Sequence, residues 1–136
     1  IHRLQRILHI AARITTLAPP SLDIKEILKQ LHWLLIEQRI KYKILLLTFR
    51  AVNGIAPLYI SELLSPYRPS RQLRSSELSL LKVPTTTLKT FEDRAFSAIA
   101  PKLWNELPLD IREIVTLGSF KTAIKTVLFK ECYGNN

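Results

Sequence analysis

Methionine is absent from these 136 residues, cysteine occurs once and glycine three times. A chain that opens on Ile1 and holds no methionine is expected to be a piece of something longer. The single Cys132 excludes an internal disulfide, and no C-x-x-C pair is present to bind zinc or run thiol redox chemistry. A reducing rather than secretory compartment is therefore expected, and the localisation expected for the chain is intracellular, in the cytoplasm and nucleus. No apolar run follows a basic stretch in the manner of a leader peptide. The longest run of aliphatic residues, 44 to 47, is far short of the roughly 20 residues that span a bilayer, so no membrane partner is expected.

Signatures of catalysis are missing too. There is no glycine-rich phosphate loop and no G-x-S-x-G elbow. Glu92 and Asp93 form the only adjacent carboxylate pair, and neighbouring residues on a helix or strand point in different directions, so the pair does not make an acid–base or two-metal site. His2, His9 and His32 lack the spacing and the companion ligands of a metal centre. The segment is expected to be no enzyme, with no metal, cofactor or small-molecule ligand.

What the chain does have is apolar content and positive charge. With 47% hydrophobic residues, a chain of this length buries roughly two-thirds of its unfolded surface. One domain is expected. The net charge of +9 is uneven: nine Lys or Arg against three acids in residues 1–53, five against two in 54–90, and six against six in 91–136. The excess lies in the first two-thirds. Such a surface suits a polyanion, because neutralised phosphates release counterions; a solvated basic face explains the same totals.

Periodicity predicts a mainly α-helical fold. Leu4, Ile7, Leu8 and Ala11 make one apolar stripe with Arg3, Arg6 and Arg13 off it. Asp23 followed by Glu26 resembles a capping box, opening a helix that buries Ile24, Ile27, Leu28 and Leu31. A long central helix runs from Ile36 to Val52, with Ile36, Ile40, Ile44, Leu47 and Ala51 on one line, Leu45, Phe49 and Val52 beside it, and Asn53-Gly54 as a left-handed cap. A fourth, short helix follows around residues 57–64. Residues 65–90, rich in Ser, Thr, Pro and Arg, read as an extended basic connector in which "LSLLKVP" and "TTTLKTF" can pair as a short β-hairpin. Helical character returns in a tail over 91–136, which is expected to pack on the 1–64 bundle. Within it Thr116 or Ser119 would cap a last helix whose Phe120, Ile124, Val127 and Leu128 face inward.

The candidate nucleic-acid contacts follow from this layout. Arg68, Arg71 and Arg74 recur at three-residue intervals in "YRPSRQLRSS", with Tyr67 and serines among them, so an extended chain would offer guanidiniums to successive phosphates. Pairing of these arginines with Glu62 or Glu77 is the competing reading. Arg39, Lys41, Lys43 and Arg50 would extend the positive surface along the central helix, where a charged solvent face is also the ordinary arrangement. Trp33 and Trp104 are assigned structural roles, since an indole buries a large area and needs one N–H partner. In "APKLWNELP", Pro101 would start a helical turn, Leu103, Trp104 and Leu107 would face inward, Asn105 would satisfy backbone groups, and Pro108 would end the turn.

Several strings together, "LHWLLIEQRIKYKILLLTFRAVNGIAPLYISELLSPY", "RQLRSSELSLLKVP", "FEDRAFSAIAPKLWNELPLDIRE" and "SFKTAIKTVLF", resemble the C-terminal region of LINE-type non-LTR retrotransposon reverse transcriptases of the jockey-like and chicken-repeat-like group. The resemblance runs in order from about residue 3 to 130. It implies a parent polyprotein with an apurinic-type endonuclease and an RNA-directed DNA polymerase that carries out target-primed reverse transcription, with this segment following the polymerase thumb. The polymerase's Y/F-x-D-D motif is absent, and so is the Cys-His knuckle in which some related elements end, so no catalytic or binding residue transfers. The implied partners are RNA or DNA and the upstream reverse transcriptase domain. A protein–protein docking module, formed by the neutral tail and central helix for the polymerase or a second copy, is the alternative, as is a non-functional genomic remnant.

Overall fold

The computed structural model describes residues 1–68, 79–85 and 95–134, and within them the chain is mainly helical. In order come α1 (His2–Thr16), α2 (Ile24–Gln30), α3 (Ile36–Val52), α4 (Leu58–Ser61), α5 (Phe96–Asn105), α6 (Leu109–Arg112) and α7 (Leu117–Tyr133). Among the described residues the only β pairing is an isolated antiparallel bridge between Pro66 and Leu81. The second arm of the hairpin expected at 85–91 lies, beyond Thr85, outside the described residues.

Helix ends are set by local chemistry that the sequence announces. Asp23 is extended at the N-cap of α2, and its carboxylate accepts the Lys25 amide at 3.2 Å. Of the two candidates for α7, Thr116 is the cap, its Oγ1 accepting from the Ser119 amide at 3.3 Å. The end of α3 is the expected glycine cap. Gly54 sits at φ 68, its amide donates to Ala51 O at 3.3 Å and that of Ile55 to Arg50 O at 2.8 Å, the paired closure of a Schellman motif. Two other helices close in the same way without glycine. Leu17 after α1 and His32 after α2 both adopt φ 52, with Ala18 and Trp33 donating to Arg13 O and Leu28 O.

The chain divides into two compact units. The first holds residues 1–42 and 125–136. Its core is Leu8 and Ala12 of α1 against Ile27 and Leu28 of α2, with Trp33, Ile36 and Tyr133 packed around them. Gln5 ties α1 to the start of α3: its Oε1 accepts the Ile36 amide at 2.9 Å while its Nε2 donates to His9 Nε2. The hydroxyl of Tyr133 donates to the Trp33 carbonyl at 2.7 Å, and His32 stacks on Phe129 with centroids 5.4 Å apart.

The second unit holds residues 43–124. Phe49 of α3 stacks on Phe120 of α7 at 4.2 Å, and Trp104 of α5 meets the same Phe120 ring at 5.8 Å. All three are fully buried. Offset aromatic pairs of this kind add about 0.5–1.5 kcal/mol each beyond the area they bury.

Two expected stripes are rotated. On α1 the buried residues are Leu8 and Ala12, whereas Leu4 and Ile7 are 55% and 61% exposed. On α3 the shift is partial: Leu45, Phe49 and Ala51 are buried as expected, joined by Thr48, while Ile40 and Leu47 are 42% and 40% exposed. Both helices carry adjoining apolar lines, so periodicity admits either; the packing of α2 selects one on α1, and the Phe120 ring selects the other on α3. Thr48 enters the core because its hydroxyl donates back to Ile44 O at 2.9 Å.

Pro101 is also a correction. It does not open a turn: α5 begins at Phe96, and Pro101 lies inside it, fully buried. Without an N–H it leaves the Ser97 carbonyl without its helical partner, and the ring buries apolar surface in exchange. Pro108 opens α6 as its N-cap.

Candidate nucleic-acid interface

The best-defined surface feature of the second unit is an extended stretch held from below. Pro66 and Leu81 pair through two backbone bonds, Tyr67 N–H to Leu80 O at 2.9 Å and Lys82 N–H to Ser65 O at 2.8 Å. Three side-chain bonds then fix the 79–81 backbone to the end of α5. Trp104 Nε1 donates to Ser79 O at 2.9 Å, Asn105 Oδ1 accepts the Leu81 amide at 2.9 Å, and Asn105 Nδ2 donates to Leu81 O at 2.8 Å. Ser79 bends into this arrangement at φ 48.

Alternation along extended chain decides which side chains face out. Leu81 points into the core, being 5% exposed. Its neighbour Lys82 therefore lies on the opposite face, as does Tyr67 across the bridge, and both are exposed. Arg68 follows Tyr67 and is exposed as well. An exposed aromatic ring that shares a face of a pinned backbone with Lys82 can stack a base while the lysine contacts a phosphate of a single strand; Arg68, one residue on, alternates to the other face and adds exposed positive charge there.

The seven cations assigned from sequence fare differently. Arg68 and Lys43 are exposed. Arg39 is engaged within its own unit: its Nε donates to Leu34 O at 3.0 Å and its guanidinium lies 5.7 Å from the centre of the Trp33 ring. Lys41 pairs with Glu131 at 3.7 Å, both side chains partly exposed, a contact worth well under about 1 kcal/mol. Arg71 and Arg74 lie outside the described residues. Arg50 is half-buried, with its Nε enclosed and lacking a hydrogen-bond partner. Lys82 was not among the sequence candidates, although "LSLLKVP" contains the signal: a buried Leu81 in an extended segment sends residue 82 outward.

Of the structural residues, Trp104 is the fully buried anchor that the sequence predicts, and Trp33 is half-buried between the first unit's core and Arg39. Burial pushes the Cys132 thiol above its usual value of 9.0, so the thiolate is disfavoured. Tyr133 is pushed up to about 12, foremost by burial and then by Cys132, with Arg39 opposing. Among the described residues no cluster of three His, Cys, Asp or Glu side chains could hold a metal, and no helix is long and apolar enough to cross a membrane.

Comparison with protein-family models, with curated proteins and with solved structures finds no match to this chain.

Proposed function

We propose that the chain is a non-catalytic nucleic-acid-binding and scaffolding segment, of the kind that a LINE-type reverse transcriptase tail implies, holding RNA or DNA while an upstream polymerase domain of the same polyprotein performs the chemistry. The observation that carries this reading is the presentation of Tyr67, Arg68 and Lys82 on a backbone anchored by Trp104 and Asn105. The net charge of +9 supports it, since a basic surface attracts polyanions at long range. Lys43 joins the contact set. Arg39 and Lys41 contribute less than their charge suggests, because each already has an intramolecular partner.

Filter binding of single-stranded RNA and of nicked DNA duplex across a salt series tests the reading. Affinity should fall as salt rises and should drop when Lys43, Arg68 and Lys82 are replaced by alanine. Affinity that ignores both changes would remove the proposal.

A further inference from the structure

The apolar arc of the first helix is covered along one edge only. Leu8 and Ala12 pack against α2, yet Ile7, Ile10 and Ile14 are 61%, 59% and 68% exposed. The apolar stripe of an amphipathic helix ordinarily faces a packing partner. Ile7, Ile10 and Ile14 follow i, i+3 and i+7 spacing, the a, d and next a positions of a heptad pattern, and form a ridge about 10 Å long at 1.5 Å per residue.

Charge on the helix restricts what can cover that ridge. In the same register Arg6 and Arg13 take the g positions and Arg3 takes the preceding d position, and α1 contains no acid. A second copy laid parallel would set Arg3 against its own equivalent in the seam; laid antiparallel, it would set Arg6 against Arg13. Either arrangement opposes like charges, so self-pairing is disfavoured. Arg13 is already engaged, donating to Pro19 O at 2.9 Å and Leu22 O at 3.1 Å, and Arg3 and Arg6 are exposed. A lipid surface is a poor cover too, because Arg3 sits within the apolar arc and would be carried toward the acyl region.

We infer that α1 docks an acidic amphipathic helix of a partner protein, one whose apolar stripe is bordered by Glu or Asp that pair with Arg6 at the edge and that reach Arg3 at the N-terminal end of the seam. Ile7, Ile10 and Ile14 supply the ridge that seats between its turns. This docking does not rest on nucleic-acid binding.

The test uses the full chain with two synthetic helical peptides of roughly three heptads, alike in leucine at a and d, one with glutamate and the other with lysine at e and g. The acidic peptide should bind and the basic one should not. Ile7→Ser with Ile14→Ser should abolish binding while leaving the melting temperature of the chain unchanged, since both side chains are exposed. Arg3→Glu with Arg6→Glu should weaken the acidic peptide about tenfold or more and favour the basic one. Equal binding of both peptides, binding of neither, or sedimentation of the free chain as a dimer that Ile7→Ser disrupts would overturn the inference. So would uptake by anionic phospholipid vesicles without peptide binding.

Discussion

Asn105 grips Leu81 at both ends of its peptide, accepting the amide through Oδ1 at 2.9 Å and donating Nδ2 to the carbonyl at 2.8 Å. The two residues are 24 apart in sequence, and the side-chain amide stands in for a neighbouring strand. With Trp104 beside it, one turn of α5 holds the backbone on which Tyr67 and Lys82 are displayed.

Replacing Asn105 with alanine should cost about 2 kcal/mol, because it leaves a donor and an acceptor at Leu81 without partners. Asn105→Asp should be nearly as costly, since it keeps the acceptor but sets a carboxylate against the Leu81 carbonyl. Urea unfolding checks both. A loss below about 0.5 kcal/mol for either would mean that water replaces the grip.

Trp104→Ala should destabilise by about 3–5 kcal/mol, as truncation of a large buried aromatic does. Trp104→Phe separates packing from the indole bond: it keeps a ring against Phe120 but frees Ser79 O. An intermediate loss is expected. If Trp104→Ala left melting unchanged and weakened nucleic-acid binding, the indole would be a stacking surface and its assignment as a core anchor would fail.

Ser79 adopts φ 48, a conformation that costs a residue bearing Cβ roughly 1–2 kcal/mol. Glycine removes that cost and adds roughly 0.5–1 kcal/mol of unfolded-chain entropy. Ser79→Gly should therefore raise stability by about 0.5–1 kcal/mol, since the carbonyl that accepts from Trp104 remains. A fall in the melting temperature would contradict this.

Tyr133 gives the protein a pH dependence in alkali. Its pKa rises from 10.0 to about 12 on folding, mainly through burial, so the folded state favours the protonated phenol. The resulting stability is complete below pH 10 and is lost as pH climbs towards 12. At neutral pH Tyr133→Phe should cost about 1 kcal/mol for the lost bond to the Trp33 carbonyl. The gap between wild type and variant should then close over the same alkaline range. Parallel pH profiles for the two proteins would show that the phenol does not control the transition.

The sequence revealed the elements better than their rotation. Caps were legible because single residues impose them: Asp23, Thr116 and Gly54 each stand where local chemistry puts them. The buried faces of α1 and α3 were not, since Leu4, Ile7, Leu8 and Ala11 satisfy helical spacing while only part of that stripe finds a partner. Pro101 was misplaced because a proline inside a helix is tolerated only where tertiary burial compensates it, which no local rule reports. For the candidate interface, spacing nominated Arg68, which the structure leaves exposed. Lys82 was not legible in this way, because its position depends on a bridge that Asn105 and Trp104 hold from elsewhere in the chain.

The central claim is that Tyr67, Arg68 and Lys82, with Lys43, hold nucleic acid. Its most direct test is the dependence of single-stranded RNA affinity on salt, compared between wild type and the Lys43→Ala, Arg68→Ala, Lys82→Ala triple variant. Each phosphate contact contributes about 0.7 to the slope of log affinity against log salt. The account predicts that the variant loses about 2 from the magnitude of that slope, and that adding Tyr67→Ala weakens binding further without changing the slope. An unchanged slope in the triple variant would contradict it.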